Sequence, residues 1–116
     1  MAKPRLSYEI QIGDIVYLGA GGFVVSANVR EEEDVFLGCA MQRSKPGEDT
    51  KIRVATSGVF QFDCEQDEHI IGEQVAPVPG KNQEVEKTSR GSIGRSVEMG
   101  YSSSVKVAIL STCMGR

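Results

Sequence analysis

The chain has no tryptophan, one histidine, His69, and three scattered cysteines, Cys39, Cys64 and Cys113. With one imidazole it is expected to build no multi-histidine metal centre. The odd, unspaced cysteines form no disulfide framework and no C-x-x-C pair, so they read as reduced thiols, with Cys39 buried and unreactive in a strand. Basic residues are too few for a nucleic-acid footprint, 13 Lys and Arg against 16 Asp and Glu. No apolar run approaches the roughly 18 residues of a membrane span, and no charged-then-apolar leader precedes the chain; the expectation is a protein neither membrane-embedded nor secreted by that route. What the chain does have is glycine, 13 in 116 residues, with 40% hydrophobic residues. That many turn formers favour short strands over long helices.

Alternation fills in the strands. Lys51 to Phe62 reads as two strands meeting at a turn near Gly58, with Ile52 and Val54 on one arm and Phe60 and Phe62 on the other. Ser7 to Ile12 alternates with Tyr8, Ile10 and Ile12 on one face. Gly13-Asp14, the apolar run Ile15 to Leu18, the glycines between Gly19 and Gly22, and Phe23 to Val25 read as a hairpin. Two acidic stretches, one running from Glu31 to Asp34 and the other from Asp63 to Glu68, read as solvated loops. Val35 to Gln42 reads as a strand kinked at Gly38, and Pro46-Gly47 as a turn.

The pattern then comes round again. Gly72-Glu73-Gln74-Val75 follows Gly13-Asp14-Ile15-Val16 at 59 positions, Ile93-Gly94 follows Leu37-Gly38 at 56, and Val105-Lys106-Val107-Ala108 stands where Ile52-Arg53-Val54-Ala55 stood. A short internal duplication accounts for this, and so does recurring turn–strand grammar. Either gives eight or nine short strands in a small single-domain all-β protein, a barrel or sandwich, with an extended N-terminal arm. The organisation read from the sequence is an arm and first strand over 1–12 and a barrel over 13–116.

Chemistry-bearing motifs are sparse. Asp63 to Glu68 has the composition of a cation loop, but Glu68 stands at the sixth position where a calcium loop turns on glycine, and Gln74 at the twelfth. Ser89 to Ser96 lacks G-x-x-x-x-G-K-[ST] and a following helix, so it is no phosphate loop. Cys64 beside His69 as a nucleophile would need a cleft and an orienting third group that the sequence does not supply. No catalytic, cofactor or metal residue is expected, and none of the motifs points to an enzyme.

The ordered set Gly13-Asp14-x-Val16, Leu37-Gly38-x-Ala40, Pro46-Gly47-Glu48, Val54-x-Thr56-x-Gly58-Val59-Phe60, Gly72-x-x-Val75, Ile93-Gly94 and Val105-x-Val107 with Leu110 is similar to the tailed-phage head decoration, or capsid cement, proteins. The acidic run at Glu31 and the charged stretch from Gly80 to Arg95 depart from that pattern. The resemblance implies a β-tulip-like barrel, a homotrimer made in the bacterial cytoplasm, and a place on the outer surface of the virion. There it would bind the major capsid protein and hold the shell against internal DNA pressure, with no enzymatic activity, no cofactor and no direct contact with nucleic acid or membrane. The candidate contact residues are those of the arm: the basic opening Lys3, Pro4, Arg5 and Leu6, then the apolar face of Tyr8, Ile10 and Ile12, available as an added strand. A small-ligand or carbohydrate-binding β-module, its mouth formed by Gly19 to Gly22 and Asp63 to Glu68, is the alternative from a different class.

Overall fold

The computed structural model describes residues 3–4, 9–19, 22–31, 34–44 and 52–111, residues 3–4 by their backbone. Among these it is all-β, with ten strands: β1 Lys3–Pro4, β2 Ile15–Leu18, β3 Phe23–Ser26, β4 Val35–Ala40, β5 Val54–Ala55, β6 Ser57–His69, β7 Gln74–Pro77, β8 Glu84–Lys87, β9 Gly94–Ser96 and β10 Gly100–Leu110. A 3-10 turn, Ala27–Val29, follows β3. No helix among the described residues is long and apolar enough to cross a membrane.

The strands form one five-stranded unit twice. The first sheet runs β1-β3-β2-β4-β5, and the closed barrel runs β6-β8-β7-β9-β10, with β10 returning to pair with β6. Both units open with a parallel pair, Lys3 opposite Phe23 in the first and Asp63 opposite Glu84 in the second, and the remaining pairings are antiparallel in each. The correspondence extends to single hydrogen bonds. Gly13 N–H donates to the Ala40 carbonyl at 2.9 Å and Gly72 N–H to the Ser96 carbonyl at 2.8 Å. Met41 N–H donates to Arg53 at 2.9 Å, and Val97 N–H to Lys106 at 3.0 Å. Both Gly13 and Gly72 sit at positive φ, 94° and 93°, which a side chain would strain. The sequence echo is therefore an internal structural repeat.

Alternation in each unit places matching residues inside. Ile10, Val16, Val24, Ala40 and Ile52 form one buried cluster in the first unit, and Val75, Val85 and Val105 occupy the positions of Val16, Val24 and Ile52 in the second. The outer face of the first sheet is buried too: Ile15, Tyr17, Val25, Phe36 and Cys39 share a core with Phe62, Ile93 and Ile109. The matching outer positions of the barrel carry Gln74, Ala76, Glu86, Ser92 and Arg95, none of them fully buried. One unit thus lies on the other through an apolar face that the second unit does not repeat. Burial pushes the Cys39 thiol up to about 11 from 9.0, helped by the nearby Asp14 carboxylate. At any pH below 9 this leaves about a hundredfold less thiolate than an unperturbed cysteine has. Native-state alkylation of Cys39 is expected to be slower than that of the unfolded chain by at least this factor, followed by peptide mapping of the labelled site.

Four sequence readings change. β5 and β6 do not pair with each other, because the chain bends at Thr56 and crosses from β4 to β10; alternation gives a strand its faces but not its neighbour. Asp63 to Glu68 is strand, not loop, since β6 pairs with β10 along a ribbon whose side chains there are almost all solvated. Backbone pairing in such a ribbon requires no apolar side chains. The Ser7 to Ile12 strand is, in its described part, a single bridge between Ile10 and Ser44 followed by a turn. Ile10 is buried, and Ile12 is 64% exposed instead of sharing its face. The 35–42 strand ends at Ala40 and is irregular where expected: Gly38 lies opposite Val16 and Phe36 opposite Tyr17, which leaves Leu37 as the extra residue of a bulge.

Candidate functional site

Two features stand out at the β6 end of the barrel. The first is an apolar end. The turn after β6 is tied by Ile70 N–H donating to the Glu73 carboxylate at 2.9 Å, as Gln11 N–H donates to Asp14 at 2.9 Å in the first unit. Gly72 and Ser96 are hydrogen-bonded, and Gly100 and Tyr101 pair with His69 and Glu68, so residues 70–72 and 97–101 lie together. Ile70, Ile71, Val97, Met99 and Tyr101 there are 56, 59, 42, 68 and 67% exposed. The corresponding first-unit positions of Ile70 and Met99 are Gln11 and Arg43, so this end has become the more apolar of the two. The turn after β6 and the 97–101 stretch beside it thus carry five exposed apolar side chains. The rim is charged: Lys87 pairs with Asp67 at 3.3 Å and with Glu73 at 3.5 Å, and the Glu68 N–H, with Lys87 second, holds the Asp67 carboxyl below its usual range.

The second feature is a cavity of about 170 Å³ lined by Cys64, Asp67, His69, Glu84, Lys87 and Val85, among others. Cys64 and His69 are five apart and would face opposite ways in a regular strand. They meet because the ribbon is irregular: the stretch from Asp63 to Asp67 of β6 lies opposite only Ser104 to Ser102 of β10. Cys64 Sγ is 3.4 Å from His69 Nε2, and the Ser102 carbonyl oxygen is 3.1 Å from Nε2 and 3.8 Å from Sγ. His69 is buried, at the position where Ile10 is buried in the first unit. Partial burial raises the Cys64 pKa, and Asp63, Glu84 and Asp67 raise it further, so at neutral pH the group is a thiol and a weak nucleophile. The cavity is smaller than the 300–1,000 Å³ of common small-molecule pockets.

Of the arm residues proposed from sequence, Lys3, Pro4, Ile10 and Ile12 fall among the described residues. Lys3 and Pro4 lie in β1 at the edge of the first sheet. Ile10 is core and Ile12 is exposed in the turn before β2. Arg5, Leu6 and Tyr8, like Cys113, fall outside the described residues. The apolar end escaped the sequence reading although it had a signal, the pair Ile70-Ile71 set directly before a turn glycine, where polar residues are usual. Comparison with family models, with curated proteins and with solved structures finds no match to the chain.

Proposed function

We propose that the protein is a structural virion component, a homotrimeric decoration protein that binds the outside of a phage capsid and reinforces it. The observation that carries the reading is the apolar barrel end formed by Ile70, Ile71, Val97, Met99 and Tyr101. The order of turn glycines and alternating valines shared with the capsid cement proteins supports it. A surface of this kind fits a broad, shallow macromolecular partner better than a small ligand. Three such surfaces on one rigid trimer bind through avidity, which multiplies a weak single contact by about 10² to 10⁴.

The test is cosedimentation of purified protein with capsids stripped of it. Saturable binding is expected, and the double variant Ile71→Asp, Met99→Asp should bind at least tenfold more weakly while keeping its far-ultraviolet circular dichroism. Removing residues 1–6 should also weaken binding. It takes away β1 and the basic Lys3 and Arg5, and the difference from the full chain should narrow as salt rises, because salt screens the arm's contribution. Equal binding by all three proteins would place the contact elsewhere.

A further inference from the structure

The barrel closes all round, but one of its seams parts. Parallel β6 and β8 pair only at Asp63 with Glu84 and at Cys64 with Val85; beyond that point β6 pairs with β10 alone and β8 with β7 alone. The cavity of about 170 Å³ lies at this parting and reaches inward to Val75, Val85 and Val105, which are 4, 1 and 1% exposed. Its walls carry Glu65, Asp67, Glu84 and Glu86 against the single ammonium of Lys87. Lys87 is engaged with Asp67 and Glu73, which leaves Glu65, Glu84 and Glu86 without an ion pair among the described residues. An apolar floor under a carboxylate rim suits a cationic side chain, its hydrocarbon stem on the valines and its charge at the carboxylates.

The same chain presents such side chains elsewhere. At the turn end of the first unit Arg43 and Arg53 are exposed and make no ion pair among the described residues. Beside them Ile12 and Met41 are 64 and 43% exposed. Backbone bonds hold this end together: Gly13 N–H donates to the Ala40 carbonyl, Met41 N–H to the Arg53 carbonyl at 2.9 Å, and Arg53 N–H to the Gln42 side-chain oxygen at 2.6 Å. Neither arginine lines the cavity of its own chain.

We propose that the parted seam of one subunit receives the first-unit turn end of a second copy, the Arg43 and Arg53 guanidinium groups meeting its carboxylates and Ile12 and Met41 packing beside them. Under the homotrimer reading, on which this rests, it is the contact that closes the ring. Charge complementarity selects a second copy as the occupant, with four carboxylates to one ammonium on one side and two guanidinium groups on the other. A guanidinium fork also pairs with carboxylates more specifically than an ammonium does. The two surfaces lie on different units and differ in kind, so the contact is heterologous and repeats from chain to chain until the ring closes. Divergence between the units agrees with this division. Arg43 stands where the second unit has Met99, and Gln11 where it has Ile70, so the two turn ends carry different surfaces and the Ile70 end stays available for the shell.

Light scattering of the full chain over a concentration series is the test, with circular dichroism to confirm folding. The full chain should be a trimer. Arg43→Glu with Arg53→Glu, and separately Glu65→Arg with Glu86→Arg, should each weaken association at least tenfold, because each sets like charges face to face. The quadruple variant exchanges the charges across the contact and should recover the trimer. Raising sodium chloride from about 0.05 to about 0.5 M should also weaken association of the full chain, by screening. If a double variant fails to fold, the quadruple variant and the salt series still decide. A full chain that is a monomer or a dimer overturns the contact together with the homotrimer. A trimer that persists in both folded double variants, that a folded quadruple variant does not recover, or that is indifferent to salt overturns the contact while the homotrimer stands.

Discussion

Replacing Gly94 by alanine should destabilise the protein by about 3 kcal/mol or more, or prevent folding outright, although the substitution adds one methyl group. That methyl would stand 2.2 Å from the Ala108 carbonyl oxygen and 2.9 Å from its carbon, so β9 and β10 would have to part. Gly38 is in the same position in the first unit, where the methyl would stand 2.0 Å from the Ala55 carbonyl oxygen. Neither glycine is at positive φ, so the requirement is for close approach of two backbones and not for an unusual conformation. Gly91→Ala is the control. It sits at φ 69° with open space around it, and should cost only about 1 kcal/mol. Urea midpoints of the two variants measure this, and near-equal losses at Gly91 and Gly94 would contradict the close-approach explanation.

Asp14 carries the second large effect. It is fully buried and its carboxylate accepts two hydrogen bonds, from the Gln11 N–H at 2.9 Å and from Gln83 Nε2 at 2.7 Å. The first closes a turn in its own unit and the second reaches across to the other, beside the Ile15 N–H that donates to the Asn82 carbonyl at 2.7 Å. Asp14→Ala leaves both donors without their acceptor and should cost about 2–4 kcal/mol. Glu73 is the matching residue of the second unit, closing the corresponding turn at Ile70 without reaching the other unit, and it is partly exposed. Glu73→Ala should therefore cost about 1 kcal/mol or less. A double-mutant cycle of Asp14→Ala with Gln83→Ala, followed by thermal unfolding, should give a coupling of about 1 kcal/mol or more. Zero coupling would mean that the units are held by apolar packing alone.

Much of this was legible in the sequence because glycines mark constraints. Gly13 and Gly72, and Gly38 and Gly94, were spaced so that a repeated unit could be read before its strands were known, and the structure gives each pair one shared job. The all-β class followed from the same turns and from alternating valines. Strand partners were not legible: the bend at Thr56 has the composition of a hairpin turn, and only the three-dimensional arrangement sends β5 to β4 and β6 to β10. The acidic stretch Asp63 to Glu68 read as loop because a ribbon solvated on most of its surface loses the apolar face that identifies a strand. The sequence reading weighed Cys64 beside His69 but found no cleft for them; their five-residue spacing puts them on opposite faces of a regular strand, and the bulge that brings them together depends on the pairing with β10. Charge drew the sequence reading to the basic arm, and the exposed pair Ile70 and Ile71 went unremarked.

The proposed decoration role is tested most directly by native mass spectrometry of the protein released intact from purified virions. A capsid-bound trimer predicts one species of about 38 kDa, three chains of 12.6 kDa each. Its copy number per particle should match the shell's symmetry. Particles from which the protein is absent, or release of a 12.6 kDa monomer only, would contradict the account.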